Sequence, residues 1–248
     1  MKKLTRWYGL LLIGYLLFVL ILMLMLPGCG KKQAEPSYAP APEQESAELI
    51  QKLPETDWKE YAAQYGQEAA VELLGQLKAY VEENELSYDD TMKVMTATRG
   101  LDGAGAEGYA ALMESVYGSN PCKFLRCFWL ISADDQAELL PFLAYITGEF
   151  DPELSAKWMD GEYQRLQEAW TAAELFAQQQ PPVGRQVESY EFPEMYSFDP
   201  YFAEDYTSVS DLYDQTMTAY GVVYPLTDGG SYTIYVDGNG LVYGYVVK

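Results

Sequence analysis

Residues 151–182 read DPELSAKWMDGEYQRLQEAWTAAELFAQQQPP, and this stretch decides the fold. Asp151-Pro152 is a helix start, and Gln178-Gln-Gln-Pro-Pro182 is a break. Between them Met159, Tyr163, Leu166, Trp170, Ala173 and Ala177 recur by fours and threes. That spacing puts one apolar stripe on one helix face, where it packs against a core rather than forming a cofactor site.

Upstream the same helical period continues. Val71, Leu74, Leu77 and Val81 share a face, and Ser87-x-x-Asp90 has the form of a capping box before Met92–Thr98. The glycine-rich stretch 100–105 is a break, followed by a helix over Ala106–Tyr117 that ends at Gly118. Pro121 suits a first helical position. The segment after it, to Ile131, is apolar nearly all round, with only Lys123 and Arg126 as a polar stripe, and a helix of that kind is central and buried. Asp134-Asp135 starts a further helix that ends near Gly148. At an offset of 30 residues, Leu101, Leu112, Val116 and Gly118 align with Ile131, Phe142, Ile146 and Gly148. Residues 48–178 are therefore expected to be an irregular helical bundle or a short stack of helical hairpins.

Downstream the pattern changes. Residues 179–209 interleave Tyr190, Phe192, Tyr196, Phe198, Tyr201, Phe202 and Tyr206 with Glu188, Glu191, Glu194, Asp199, Glu204 and Asp205. These rings either pack a long connection onto the helical body or line a ligand surface that stacks sugars or captures cations. Ser210 can cap a short helix through Ala219. Strands are expected at Gly221–Pro225, Ser231–Val236 and Leu241–Val247, with turns at Asp228-Gly-Gly230 and Asp237-Gly-Asn-Gly240. The latter has too few oxygen ligands for a calcium loop. The fold class is thus mainly α with a small C-terminal antiparallel β-hairpin or meander, α+β overall, with residues 210–248 as its final part.

The chain opens MKKLTRWYGLLLIGYLLFVLILMLMLPGCGKK. Lys2, Lys3 and Arg6 precede an uncharged run from Trp7 to Leu26, and then come Pro27, Gly28 and Cys29. A basic start, an apolar run and a small-residue cleavage site make an export signal. This stretch resembles the signal peptide and lipobox of bacterial lipoproteins. Leu26 and Gly28 match that family's preferred types, while Pro27 stands where Ala, Ser or Thr is usual. The resemblance implies cleavage after Gly28 and lipidation of Cys29, so that 1–28 is a signal and Cys29 the mature N-terminus. The residues alone also permit an uncleaved signal anchor, because twenty apolar residues span roughly 30 Å. Either way the remainder faces outside the cytoplasm, and the Pro/Ala/Glu-rich stretch 29–47 reads as a disordered tether.

Composition sets limits on function. The net charge is −21; without the signal's three basic residues, thirteen Lys+Arg face thirty-seven Asp+Glu, or −24. Such a surface repels nucleic acid. With no histidine in 248 residues, Ser-His-Asp and Cys-His catalysis and histidine zinc sites are excluded. Cys122 and Cys127 read as buried free thiols, since helix geometry sets their Cα atoms roughly 8–9 Å apart, beyond disulfide reach. Gly103-Ala-Gly-Ala-Glu-Gly108 has dinucleotide-motif spacing but lacks the preceding strand. Gly105-Ala-Glu-Gly108 with Leu112-Met113 is loosely similar to the Gly-Ala-x-Gly-Leu-Met stretch of lytic transglycosylases. Its Leu-Met is displaced by three residues and no Glu lies in Thr91–Asp102, so no catalytic residue is carried over. The expectation is a non-catalytic, lipid-anchored envelope protein with no metal or cofactor, partnered by an envelope protein or glycan. Glycan or solute binding through 190–206, and carboxylate-based glycan hydrolysis, are the alternatives.

Overall fold

In the computed structural model, the structure describes residue 39 and residues 46–198, 207–208 and 218–248. Cys29, Gly28 and most of the tether lie outside these residues, as do Tyr201, Phe202 and Tyr206. Among the described residues the fold is mainly helical, with a C-terminal antiparallel sheet. The helices are α1 (Ser46–Lys52), α2 (Trp58–Tyr65), α3 (Gln67–Glu83), α4 (Tyr88–Met95), α5 (Gly103–Ser119), α6 (Pro121–Leu130), α7 (Ala133–Leu139), α8 (Ala144–Thr147) and α9 (Pro152–Gln179).

Local chemistry explains most of the starts. Ser87 Oγ accepts from Asp90 N and donates to the Asp90 carboxylate, opening α4. Asn120 and Asp151 accept from the first turns of α6 and α9, each with Pro at the first helical position. Ser132, two residues before the expected start at Asp134-Asp135, caps α7. That helix does not run on to Gly148. Pro141 falls in a 3₁₀ turn, Leu140–Phe142, and α8 adds one further turn before Gly148 ends it in the left-handed conformation. The 30-residue offset is consequently not a structural repeat: Gly103–Ser119 is one continuous helix with Gly118 inside it, whereas Ile131–Gly148 is three short pieces.

Helix ends and close approaches fix the packing. The fully buried Tyr109 hydroxyl lies 2.8 Å and 2.9 Å from the carbonyls of Val94 and Met95, satisfying the last turn of α4 from α5. Gly108 of α5 faces Leu74 of α3, where an added Cβ would sit 3.3 Å from Leu74 Cδ1. Gly103–Gly108 is thus the opening of a helix packed on α3. The core joins Leu74 and Leu77, Leu112 and Met113, Phe124 and Phe128, and Met159 and Leu166 into one cluster that continues into the sheet.

The sheet has five antiparallel strands in the order β1-β3-β4-β5-β2: β1 (Glu194–Phe198), β2 (Thr207–Ser208), β3 (Ala219–Pro225), β4 (Ser231–Asp237) and β5 (Val242–Val247). Three of these match expectation. The two edge strands come from the stretch read as a connection, which therefore belongs partly to the sheet: Met195 pairs with Val222, and Thr207 with Tyr245. The expected short helix 210–219 lies mostly outside the described residues, and its last residue, Ala219, opens β3 instead. Val222, Tyr224, Tyr232, Ile234 and Val236 point into the shared core. Tyr235, Tyr243 and Asp237 are buried too, so these strands are covered beyond a single face.

Helix α9 carries the sheet. Ala169, Ala173 and Ala177, all fully buried, keep that face low. The 237–240 turn rests on the same helix, with Gly240 against Ala172 and Gly238 against the Arg165 stem. Of the expected stripe, Tyr163 and Trp170 are only half-buried, and Ala169 completes it. Asp237 organises the turn: Oδ1 accepts from Asn239 N and Leu241 N, and Oδ2 from the Tyr243 hydroxyl. This buried carboxylate is taken up by the hairpin itself. Leu166→Ala, at 1 % exposure, is expected to cost about 2–5 kcal/mol of unfolding free energy in denaturant titration. Leu175→Ala on the same helix, at 55 % exposure, is expected to stay within about 0.5 kcal/mol of the parent.

Candidate functional site

A concave feature lies where the α3–α4 loop and the α5–α6 junction meet β1. It is a groove of about 490 Å³. Glu85, Ser87 and Tyr88 form one wall, Asn120 and Lys123 a second, and Met195 and Tyr196 the third. Lys123 is anchored there. Its ammonium pairs with Glu85, donates to Leu86 O at 2.8 Å, and lies 5.6 Å from the centre of the Tyr88 ring. The Lys123 contacts hold the Glu85 carboxyl below its ordinary range, so Glu85 is an anion and not a proton donor.

Tyr88 is also one wall of a second feature behind the groove. Arg126, only 2 % exposed, projects from the middle of α6 into a cage of rings. Its Cζ lies 3.5 Å from the Phe192 ring centre, 5.1 Å from that of Trp170 and 5.4 Å from that of Tyr88. Nη1 donates to the Tyr88 hydroxyl at 3.0 Å and to Pro193 O. Burial pushes the guanidinium pKa down, by desolvation. Arg126 is therefore no part of a polar stripe. Its charge is held in the interior by ring faces and two oxygen acceptors.

The aromatic segment divides accordingly. Phe192 covers Arg126, and Tyr190 packs on Tyr224 with ring centres 5.4 Å apart. Tyr196 lies across β3, where a side chain at Gly221 would overlap its ring, and its hydroxyl reaches that of Tyr235 at 3.5 Å. Phe198 falls at the end of β1, where the backbone alone is described. Of the three expected rings whose side chains are described, Tyr190, Phe192 and Tyr196, only Tyr196 lines the groove. Lys123 and Arg126, the two charged residues of an otherwise apolar helix, are the site residues that the aromatic reading missed. Their signal was charge at the centre of α6. Glu107, from the stretch loosely similar to transglycosylases, is exposed on α5, away from the groove walls.

The thiols lie next to the cage. Cys122 and Cys127 are free and buried, with Cys122 Sγ 4.0 Å from Ser197 Oγ and Cys127 Sγ donating to Tyr88 O at 3.6 Å. Burial pushes each thiol up to about 12. Among the described residues, no group of three or more Cys, Asp or Glu is placed to hold a metal ion. No family model, curated protein or solved structure matches the chain.

The raised thiols carry a signed consequence. Their folded-state values exceed the ordinary value of 9.0, so the folded state holds these protons more tightly than the unfolded chain. Their stabilisation is complete below pH 9 and falls away as pH rises toward 12. Stability measured by denaturant titration across that window is expected to decline less steeply in the double variant Cys122→Ala, Cys127→Ala than in the parent. An unchanged slope would place both thiols in water.

Proposed function

We propose that the chain is an extracytoplasmic bacterial lipoprotein, cleaved after Gly28 and held at the cell membrane through acyl groups on Cys29. Its folded body then serves a non-catalytic, protein-binding or scaffolding role at the cell envelope. The observation that carries this reading is the run Trp7–Leu26 closing in Leu26-Pro27-Gly28-Cys29. The formal charge supports an exposed surface role, since strong acidity keeps a crowded protein soluble and turns nucleic acid away. Among the described residues no helix is long and apolar enough to cross a membrane, and the apolar run itself lies outside them.

Two observations favour the non-catalytic form. Glycan hydrolysis by carboxylates needs one acid whose proton is held near neutral pH, and burial is what raises it. Glu82, Glu85 and Asp228 are each lowered by a cationic neighbour, so none of these three is such an acid. The rings of Tyr190 and Phe192 are engaged within the fold, which leaves less of the aromatic segment for stacking sugars. The groove beside Tyr88 and Tyr196 supports a second reading, a small-solute or glycan-binding lipoprotein.

Full-length chain produced in bacteria fed a labelled fatty acid is expected to incorporate label and to lose its first 28 residues. Cys29→Ala is expected to do neither. Unlabelled mature protein beginning at Met1 would make the apolar run an uncleaved anchor. Incubation of the full chain with peptidoglycan is expected to release no soluble fragments. Release that disappears on substitution of a single Glu would replace the scaffolding role with hydrolysis.

A further inference from the structure

The cage around Arg126 holds buried donors without acceptors. Among the described residues, Nε and Nη2 of Arg126 have no hydrogen-bond partner, and neither does Nε1 of Trp170, whose ring borders the same guanidinium. Among the described residues no carboxylate pairs with Arg126; the described ion pairs engage other cations. A buried guanidinium without a counter-charge is costly, and a cation–π contact replaces only part of its lost hydration.

The free atoms also have a shape. With Nη1 committed to Tyr88 and Pro193, the open edge is Nε with Nη2, two roughly parallel N–H groups. That edge matches the two oxygens of a carboxylate. The indole N–H adds a third donor nearby.

The cover over the face of this guanidinium is strained. Phe192 stacks on the guanidinium at 3.5 Å yet is itself 46 % exposed. It is the only non-glycine among the described residues with positive φ, at 51°. Such conformations are held by their surroundings and gather at clamps and switches. Phe192 follows the exposed Glu191 and precedes Pro193, whose carbonyl is fastened to Arg126. Rotation about Phe192 would relax the backbone and lift the ring while leaving that fastening in place. Tyr88 borders both the cage and the groove, and Lys123 lines the groove beside it.

We propose that the Arg126–Trp170 pair is a binding site for the carboxylate of a small ligand with an apolar or aromatic body, and that Phe192 is its lid. The carboxylate takes the Nε/Nη2 edge and the ligand's body replaces the Phe192 ring against Tyr88 and in the groove. This site is independent of whether the chain is anchored by lipid.

The test uses ¹⁵N-labelled full chain in detergent, with benzoate as probe and sulfate as comparison. The side-chain Nε–H of Arg126 and indole N–H of Trp170 are assigned by through-bond correlation. Both signals are expected to shift together and saturably with benzoate, and sulfate at equal concentration is expected to do so at least about tenfold more weakly. Phe192→Ala, at an exposed position, is expected to bind benzoate more tightly because no lid must be displaced. Arg126→Lys is expected to abolish the response, and if it does not fold, Trp170→Phe must weaken the response of the Arg126 signal. Absence of a saturable shift in both the parent and Phe192→Ala would show that the cage is a structural element only. An equal response to sulfate would overturn the assignment to carboxylates.

Discussion

The structure depends on a positive charge placed where water cannot reach it. Arg126 leaves the middle of α6 and meets Tyr88 at the start of α4, Trp170 on α9, and Phe192 and Pro193 just before β1. One guanidinium therefore fixes two helices and the strand-bearing segment relative to a third. A hydrophobic residue of the same volume could fill the space, but without directional bonds it could not set the entry of β1. The pairing of β1 with β3, and so one edge of the sheet, follows from where Pro193 is held.

From that point the two layers lock through α9. Its alanines at 169, 173 and 177 leave room for β3 and β4, and glycines 238 and 240 bring the hairpin turn against the same helix. At the far end of the sheet, Arg185 binds Asp228 through two nitrogens and the Lys248 carbonyl through a third, tying the start of the strand-bearing segment to the β3–β4 turn and the last residue. The Tyr232 hydroxyl reaches the Gln180 carbonyl just past the end of α9, so a strand satisfies a helix terminus.

What the sequence disclosed was what local rules govern. The capping box at Ser87, Pro121 at a first helical position and Asp151-Pro152 act within one turn, so the starts of α4, α6 and α9 were legible. The last two strands were legible because their turn, Asp237–Gly240, requires residues that tolerate its backbone. The edge strands were not. Glu194–Phe198 pairs with residues 219–223, and nothing within EMYSF distinguishes a strand from a packed connection. The expected helix from 134 to 148 failed on Pro141, whose ring ended a run that the apolar spacing alone would have continued. Arg126 was misread for a similar reason. A charge on an apolar helix suggests a solvated stripe, and only partners at 88, 170, 192 and 193 make it an interior one.

The two thiols give this architecture a direction in time. Once α6 is packed, Cys122 and Cys127 are protonated, enclosed and too far apart for a direct bond. Before α6 forms they are neither enclosed nor held apart, and a short flexible loop can bring them together. A disulfide made then would close a ring that the α6 helix cannot contain. An oxidant would act on these sulfurs before the helix that carries the buried guanidinium has docked, and not after. Burial therefore shields Cys122 and Cys127 only once α6 is in place.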